Sequence, residues 1–140
     1  MAYRDLAEDL IKDHEGLSLR MYKCPAGKNT IGYGHNLDAN GISLEVADAI
    51  LDDDIDQAIE DARALVPNFD EHDDVRRAAL VDLSFNMGKG TLSGFDDTLA
   101  AFIRKDYAGA ALGLEASKWY GQVGNRAREI VAMVRTGMAS

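Results

Sequence analysis

Glu15, Cys24 and Thr30 lie within one stretch, HEGLSLRMYKCPAGKNTIGYGH, with eight residues between the acid and the thiol and five between the thiol and the hydroxyl. A carboxylic acid that protonates a leaving oxygen, with a second group that directs water or itself attacks, is the basic equipment for hydrolysing a glycosidic bond. These three residues supply one such set. They are also the parts of an ordinary hairpin preceded by a helix end, where a glutamate is solvated or structurally paired. The elements around them decide whether the chemistry can be assembled.

Residues 3–14 predict a short helix with Leu6, Leu10 and Ile11 on one face, ending near Gly16. From Leu17 to His35 the pattern changes: Leu19, Met21, Tyr22, Ile31 and Tyr33 are interrupted by Pro25, Gly27 and Asn29, which predicts a small irregular antiparallel sheet. Ser43 is a plausible N-cap for a long helix in which Ala47, Ile50, Leu51, Ile55, Ala58, Ile59, Ala62 and Leu65 recur at three- and four-residue steps until Pro67. About six turns, roughly 33 Å, would be enough to bridge two lobes. Residues 72–87 predict a strongly apolar helix carrying Val75, Ala79, Leu80, Leu83 and Met87, with Gly88, Gly90 and Gly94 punctuating the next stretch of chain. Further helices are expected at 95–104, 107–116 and 125–136. The whole reads as one globular unit over 1–140, with a small lobe at 1–42, a connecting helix at 43–66 and a helical lobe at 67–140.

Composition excludes several classes of function. The chain has 140 residues, 46% of them apolar, enough for one sizeable core and too few for two large domains. The opening MAYRDLAEDLIKDHEGL is charged throughout and reads as no secretory signal, and no apolar run is long enough to span a bilayer, so the expected location is the cytoplasm until something releases the protein. One cysteine cannot close an internal disulfide, and His14, His35 and His72 lack zinc-helix spacing, so no metal or cofactor is expected. The net charge of −9 is concentrated in the middle: residues 38–74 hold thirteen acids against Arg63 alone. Nucleic acid is not an expected partner, because binding it needs cations to displace phosphate counterions.

One rival motif is NLDANGISLEVA. Asn36, Asp38, Asn40 and Gly41 fall at positions one, three, five and six of a calcium loop, but Ala47 stands where the bidentate glutamate belongs. The stretch therefore reads as a turn followed by a helix cap.

HEGLSLRMYKCPAGKNTIGYGHN resembles the E-x8-D/C-x5-T signature of phage-type lysozymes, the endolysins similar to those of T-even phages. DVRRAALVDLSFNMGKGTLSGFDDTLAAFIRKDYAGAA resembles that family's buried helix and the segments after it, and SKWYGQVGNRAREIVAMVRTG its C-terminal signature. The resemblance implies a mainly helical α+β, lysozyme-like fold of two lobes: a small N-terminal β-sheet lobe, a long connecting helix and a helical C-terminal lobe. It implies a muramidase that cleaves the β-1,4 bond between N-acetylmuramic acid and N-acetylglucosamine in peptidoglycan glycan strands, acting as a monomer and released by a holin.

Carried over by position, the resemblance makes Glu15, Cys24 and Thr30 catalytic. It makes Phe85, Asn86, Thr98 and Asn36 substrate-binding, Arg126 a supporting partner of Glu15, and His35 with Asp54 a structural ion pair. Asn36 stands where the family pattern has an apolar residue and Gly113 where it has an amide. Asp52 and Asp53 read as a solvated helix face, and Trp119 and Tyr120 as packing rather than sugar-stacking residues. Cys24 keeps two roles open: with Thr30 it positions or activates water while Glu15 is the acid, or it is a nucleophile forming a thioglycosyl intermediate with retention. A lytic transglycosylase on the same fold and an inert wall-binding module are the alternative functions, the acidic middle being the best support for the second.

Overall fold

The computed structural model describes residues 2–139. Helix α1 spans Tyr3–Glu15 and stops at Gly16, whose φ of +69° leaves the helical region while its N–H still reaches the Lys12 carbonyl at 3.0 Å. Strands β1 (Ser18–Lys23), β2 (Asn29–Gly32) and β3 (His35–Asn36) come next as an antiparallel sheet in the order β1-β2-β3. Pairing is irregular between Ser18 and Tyr22, so the sheet is the small uneven one expected.

The stretch read as a turn after the sheet contains a further short helix, α2 (Leu37–Asn40), started by Asn36, whose side chain accepts the Ala39 N–H at 3.0 Å. Asp38, which would have faced a calcium ion, instead accepts the Asn29 backbone N–H at 2.8 Å and its side-chain amide at 3.1 Å. Those bonds, the backbone one first, hold its carboxyl below the usual range. Helix α3 runs Leu44–Leu65, with the Ser43 hydroxyl accepting the Val46 N–H at 3.2 Å as an N-cap.

The chain divides into two compact units, residues 1–49 and 50–140, with the division inside α3. The apolar stripe of α3 is only partly buried: Ala58 and Ala62 are in the core, whereas Ile50, Leu51 and Ile55 remain exposed. Periodicity marks a face without saying how much of its length another element covers.

In the second unit a 3-10 turn at Phe69–Glu71 leads into α4 (Asp74–Leu92), α5 (Asp96–Ile103), α6 (Tyr107–Glu115), α7 (Lys118–Val123) and α8 (Asn125–Thr136). The expected helix at 72–87 is corrected at both ends. Asp73 is its N-cap, accepting the Arg76 N–H at 3.2 Å, and Gly88 (φ +78°, ψ 158°) breaks the helix without ending it. Glycine allows that kink at little steric cost, and helical backbone resumes up to Leu92. Helix α7 is an addition to the expected set. Its six residues include Gly121 and end at Gly124, a poor helical sequence held by burial of Trp119.

Leu80, Leu83, Leu92, Phe102, Leu114, Val66 and Val134 are the largest fully buried side chains. They come from most of the elements of this unit, with α6 packed on α5 and α8, and α8 on α4. Arg76 fastens the start of α4 to the end of α8: its Nε donates to the Val134 carbonyl at 2.7 Å and its Nη2 to that of Arg135 at 3.1 Å, while its guanidinium lies 3.7 Å from the Tyr107 ring centroid. A cation there satisfies carbonyls that the helix end leaves without N–H partners.

His72 is 3% exposed, with Nδ1 2.6 Å from the Tyr107 hydroxyl and Nε2 buried without a partner. Its ring meets Phe102 and Tyr107 edge-on. Burial, the largest influence, holds the imidazole pKa below its ordinary value; Lys105 and Arg76 act in the same sense, Asp73 and Glu71 against it. The unfolded chain therefore takes up a proton near about pH 6.5 that the folded chain refuses until the pH is lower. The stability due to neutral His72 is present above that pH and lost as pH falls below it. Melting temperatures between pH 7 and 5 should accordingly drop more steeply for the wild type than for His72→Leu; parallel curves would show that His72 contributes nothing to the acid sensitivity.

Candidate active site

The first hairpin carries Cys24 and Thr30, six positions apart, and ties both to one backbone carbonyl, that of Lys28. Tyr22 pairs with Thr30 across β1 and β2, and Cys24 follows two residues beyond Tyr22. Cys24 opens the turn, its N–H donating to the Lys28 carbonyl at 3.0 Å and its own carbonyl accepting the Gly27 N–H at 2.8 Å. Thr30 is 3% exposed, and among the described residues of the first unit it alone is buried. Its hydroxyl donates to the Lys28 carbonyl at 2.8 Å, the same carbonyl that accepts the Cys24 N–H.

Hydrogen bonding from the Lys28 backbone to sulfur, the largest influence, pulls the Cys24 thiol below its ordinary pKa; burial opposes it, and Ala26 and Thr30 assist. The half-buried sulfur is thus nearer to a thiolate than an isolated cysteine would be.

Glu15 is the last residue of α1, and its carboxyl group lies against the turn between β2 and β3. A Cβ placed on Gly34 would come within 2.6 Å of Glu15 Oε2. Asn36 pairs with Thr30 across β2 and β3, so its N-capping side chain is anchored beside the same hairpin. The first unit therefore holds Glu15, Cys24, Thr30 and Asn36 on neighbouring strands and turns.

The remaining sequence-derived candidates have definite surroundings of their own. His35 donates from Nε2 to the Gly41 carbonyl at 2.5 Å, a partner no spacing indicates. In the second unit Phe85 is 45% exposed despite its apolar helix, lining a groove with Leu51, Ile55, Val81, Asp82 and Arg126. Arg126 Nε donates to Asp82 Oδ1 at 3.0 Å. Asp54 lies with Asp61, Ser84 and Phe85 around a second depression of that unit. Thr98 is buried, its hydroxyl occupying space that a Cβ at Gly113 would invade at 2.3 Å. Asn86 is fixed by Trp119, whose indole N–H donates to Oδ1 at 2.8 Å. Neither that bond nor the contact of Gly34 with Glu15 can be deduced from sequence spacing; GYGH marks a turn but not what packs on it.

A mainly helical α+β chain with a small three-stranded sheet, an acid at the end of the helix before it and a thiol and a hydroxyl on its first hairpin has the lysozyme-like organisation. The chain belongs to the phage lysozyme family, whose model matches residues 12–135. It is similar to "Probable T4-type lysozyme 2" of Dictyostelium discoideum, 28% identical, with 93% of this chain and 94% of that protein aligned. It is similar also to an "Endolysin" of Acyrthosiphon pisum secondary endosymbiont phage 1, 37% identical over 79% of this chain and 74% of that protein. A third relative, the "Pre-baseplate central spike protein Gp5" of Enterobacteria phage T4, is 26% identical over 94% of this chain but only 28% of its own length. The chain is a lysozyme-type cell-wall hydrolase. Among its described residues no helix is long and apolar enough to cross a membrane.

Proposed function

We propose that the protein is a muramidase that hydrolyses the β-1,4 bond between N-acetylmuramic acid and N-acetylglucosamine, with Glu15 as general acid and Cys24 and Thr30 directing the attacking water. The observation that carries the reading is the Glu15 carboxyl lying against Gly34 in the same unit as the hairpin that holds Cys24, its thiol pKa lowered by the Lys28 backbone, and buried Thr30. The acid gives its proton to the leaving oxygen while the thiolate takes one from water, so the bond is broken by a single displacement with inversion. Phe85, Asn86, Thr98 and Asn36 serve as substrate contacts, and Arg126, His35 and Asp54 as supporting groups. As an endolysin the monomer would wait in the host cytoplasm, pass through a holin lesion and lyse the wall for phage release.

Product analysis separates this from the alternatives. Digestion in isotopically labelled water should yield reducing ends carrying one labelled oxygen, first formed as the α anomer; unlabelled anhydro sugars would make it a transglycosylase, and no cleavage an inert wall-binding module. Retained β configuration would instead favour Cys24 as nucleophile.

The thiol has its own test. Cys24→Ser should clear permeabilised cells roughly 100-fold more slowly, whereas Cys24→Asp should stay active because it restores an ionised base. Since the thiol is held below its ordinary pKa, the wild-type rate should rise with pH through that lowered value. Cys24→Asp should lack this limb, being ionised above about pH 4. Full activity in Cys24→Ser would remove the thiol from the mechanism.

A further inference from the structure

We infer that Gly34 is the positioning residue for the acid: its missing side chain is the space that the Glu15 carboxyl occupies. This deepens the proposed reading of Glu15 and rests on it. A Cβ at position 34 would lie 2.6 Å from Glu15 Oε2, 2.8 Å from its Cδ and 3.2 Å from its Cγ, all inside normal contact. Three atoms of one side chain would be displaced together. The carboxyl, at the far end of a flexible chain, yields before the backbone does, so a substitution moves the acid rather than the turn.

Two constraints coincide at this residue and can be separated. Gly34 has φ +71°, a conformation that costs most L residues energy wherever it occurs. Gly32, on the other side of Tyr33, has φ +70° but open space around its would-be Cβ. The two glycines share the backbone demand, and only Gly34 touches the acid. Gly16 ends α1 immediately after Glu15, fixing where the side chain starts, and Gly34 fixes where it finishes. The other neighbours of the turn do not supply this: Tyr33 instead carries the Lys12 amine 5.5 Å from its ring centroid.

Displacement of a catalytic group by about 1 Å costs on the order of 100-fold in turnover. The experiment measures kcat and KM on soluble peptidoglycan fragments for Gly34→Ala, Gly34→Asn, Gly32→Ala and Glu15→Gln, with Gly34→Asn also combined with Glu15→Gln. Asparagine tolerates a positive φ yet still carries a Cβ, so Gly34→Asn keeps the collision and relieves much of the strain, and it reports even where Gly34→Ala does not fold.

Gly34→Asn should lose on the order of 100-fold in kcat with KM little changed. Gly32→Ala should lower the melting temperature but keep kcat near wild type. Adding Gly34→Asn to Glu15→Gln should cost no further activity, because the group it displaces is already disabled. A folded Gly34→Asn with wild-type kcat, or a further full loss in the double variant, overturns the positioning role. A fully active Glu15→Gln overturns the assignment of the acid, a separate outcome.

Discussion

Glu15→Gln should clear outer-membrane-permeabilised Gram-negative cells roughly 100- to 10,000-fold more slowly than the wild type, the range that a general acid contributes. Glutamine has nearly the shape of glutamic acid, so it still fits the space beside Gly34, but its amide gives no proton to a leaving glycosidic oxygen. Glu15 is exposed at the end of α1, and the exchange should therefore shift stability by no more than about 0.5 kcal/mol. Turbidity measured beside circular dichroism and thermal melts checks both halves. A well-folded Glu15→Gln that clears cells at the wild-type rate would mean that the acid lies elsewhere and that the E-x8-C-x5-T pattern is structural.

Phe102→Ala should destabilise the second unit by about 3–5 kcal/mol without touching the chemistry. Phe102 is 0% exposed and belongs to the same buried cluster as Leu80, Leu83, Leu114 and Val134. Removing the ring takes away its transfer free energy and leaves a cavity that residues on separate helices cannot close together. It also withdraws the ring that His72 meets edge-on, exposing a polar group already short of a partner. A fall of roughly 10 °C or more in melting temperature is expected, with kcat at 25 °C near wild type in the fraction still folded. A change of only a few degrees would show that this core repacks.

These two residues differ in how far the sequence identifies them. Glu15 stands out because a helix end, a thiol and a hydroxyl are spaced along one short stretch and resemble a family signature. Phe102 sits in an apolar run, LAAFI, that marks a helix but not its depth in the core. Phe85 shows the same limit from the other side: its helix is as apolar, yet the ring is half exposed on a groove. Apolar periodicity records which face avoids water and is silent about which neighbour covers it.

The sequence alone determined what acts over a few residues. Gly16 stops α1, the Pro25–Asn29 region turns the hairpin and Ser43 starts α3, since turn and cap preferences are local. Only the tertiary structure decided the rest. Gly88 kinks α4 where an end was expected, and α7 forms on a glycine-containing sequence because Trp119 is buried and gives its N–H to Asn86, 33 positions away. His72 is buried with its Nε2 lacking a partner, and Gly34 leaves room for the Glu15 carboxyl. Each of these depends on which surfaces meet after folding, a matter of long-range packing that neither residue's own neighbours encode.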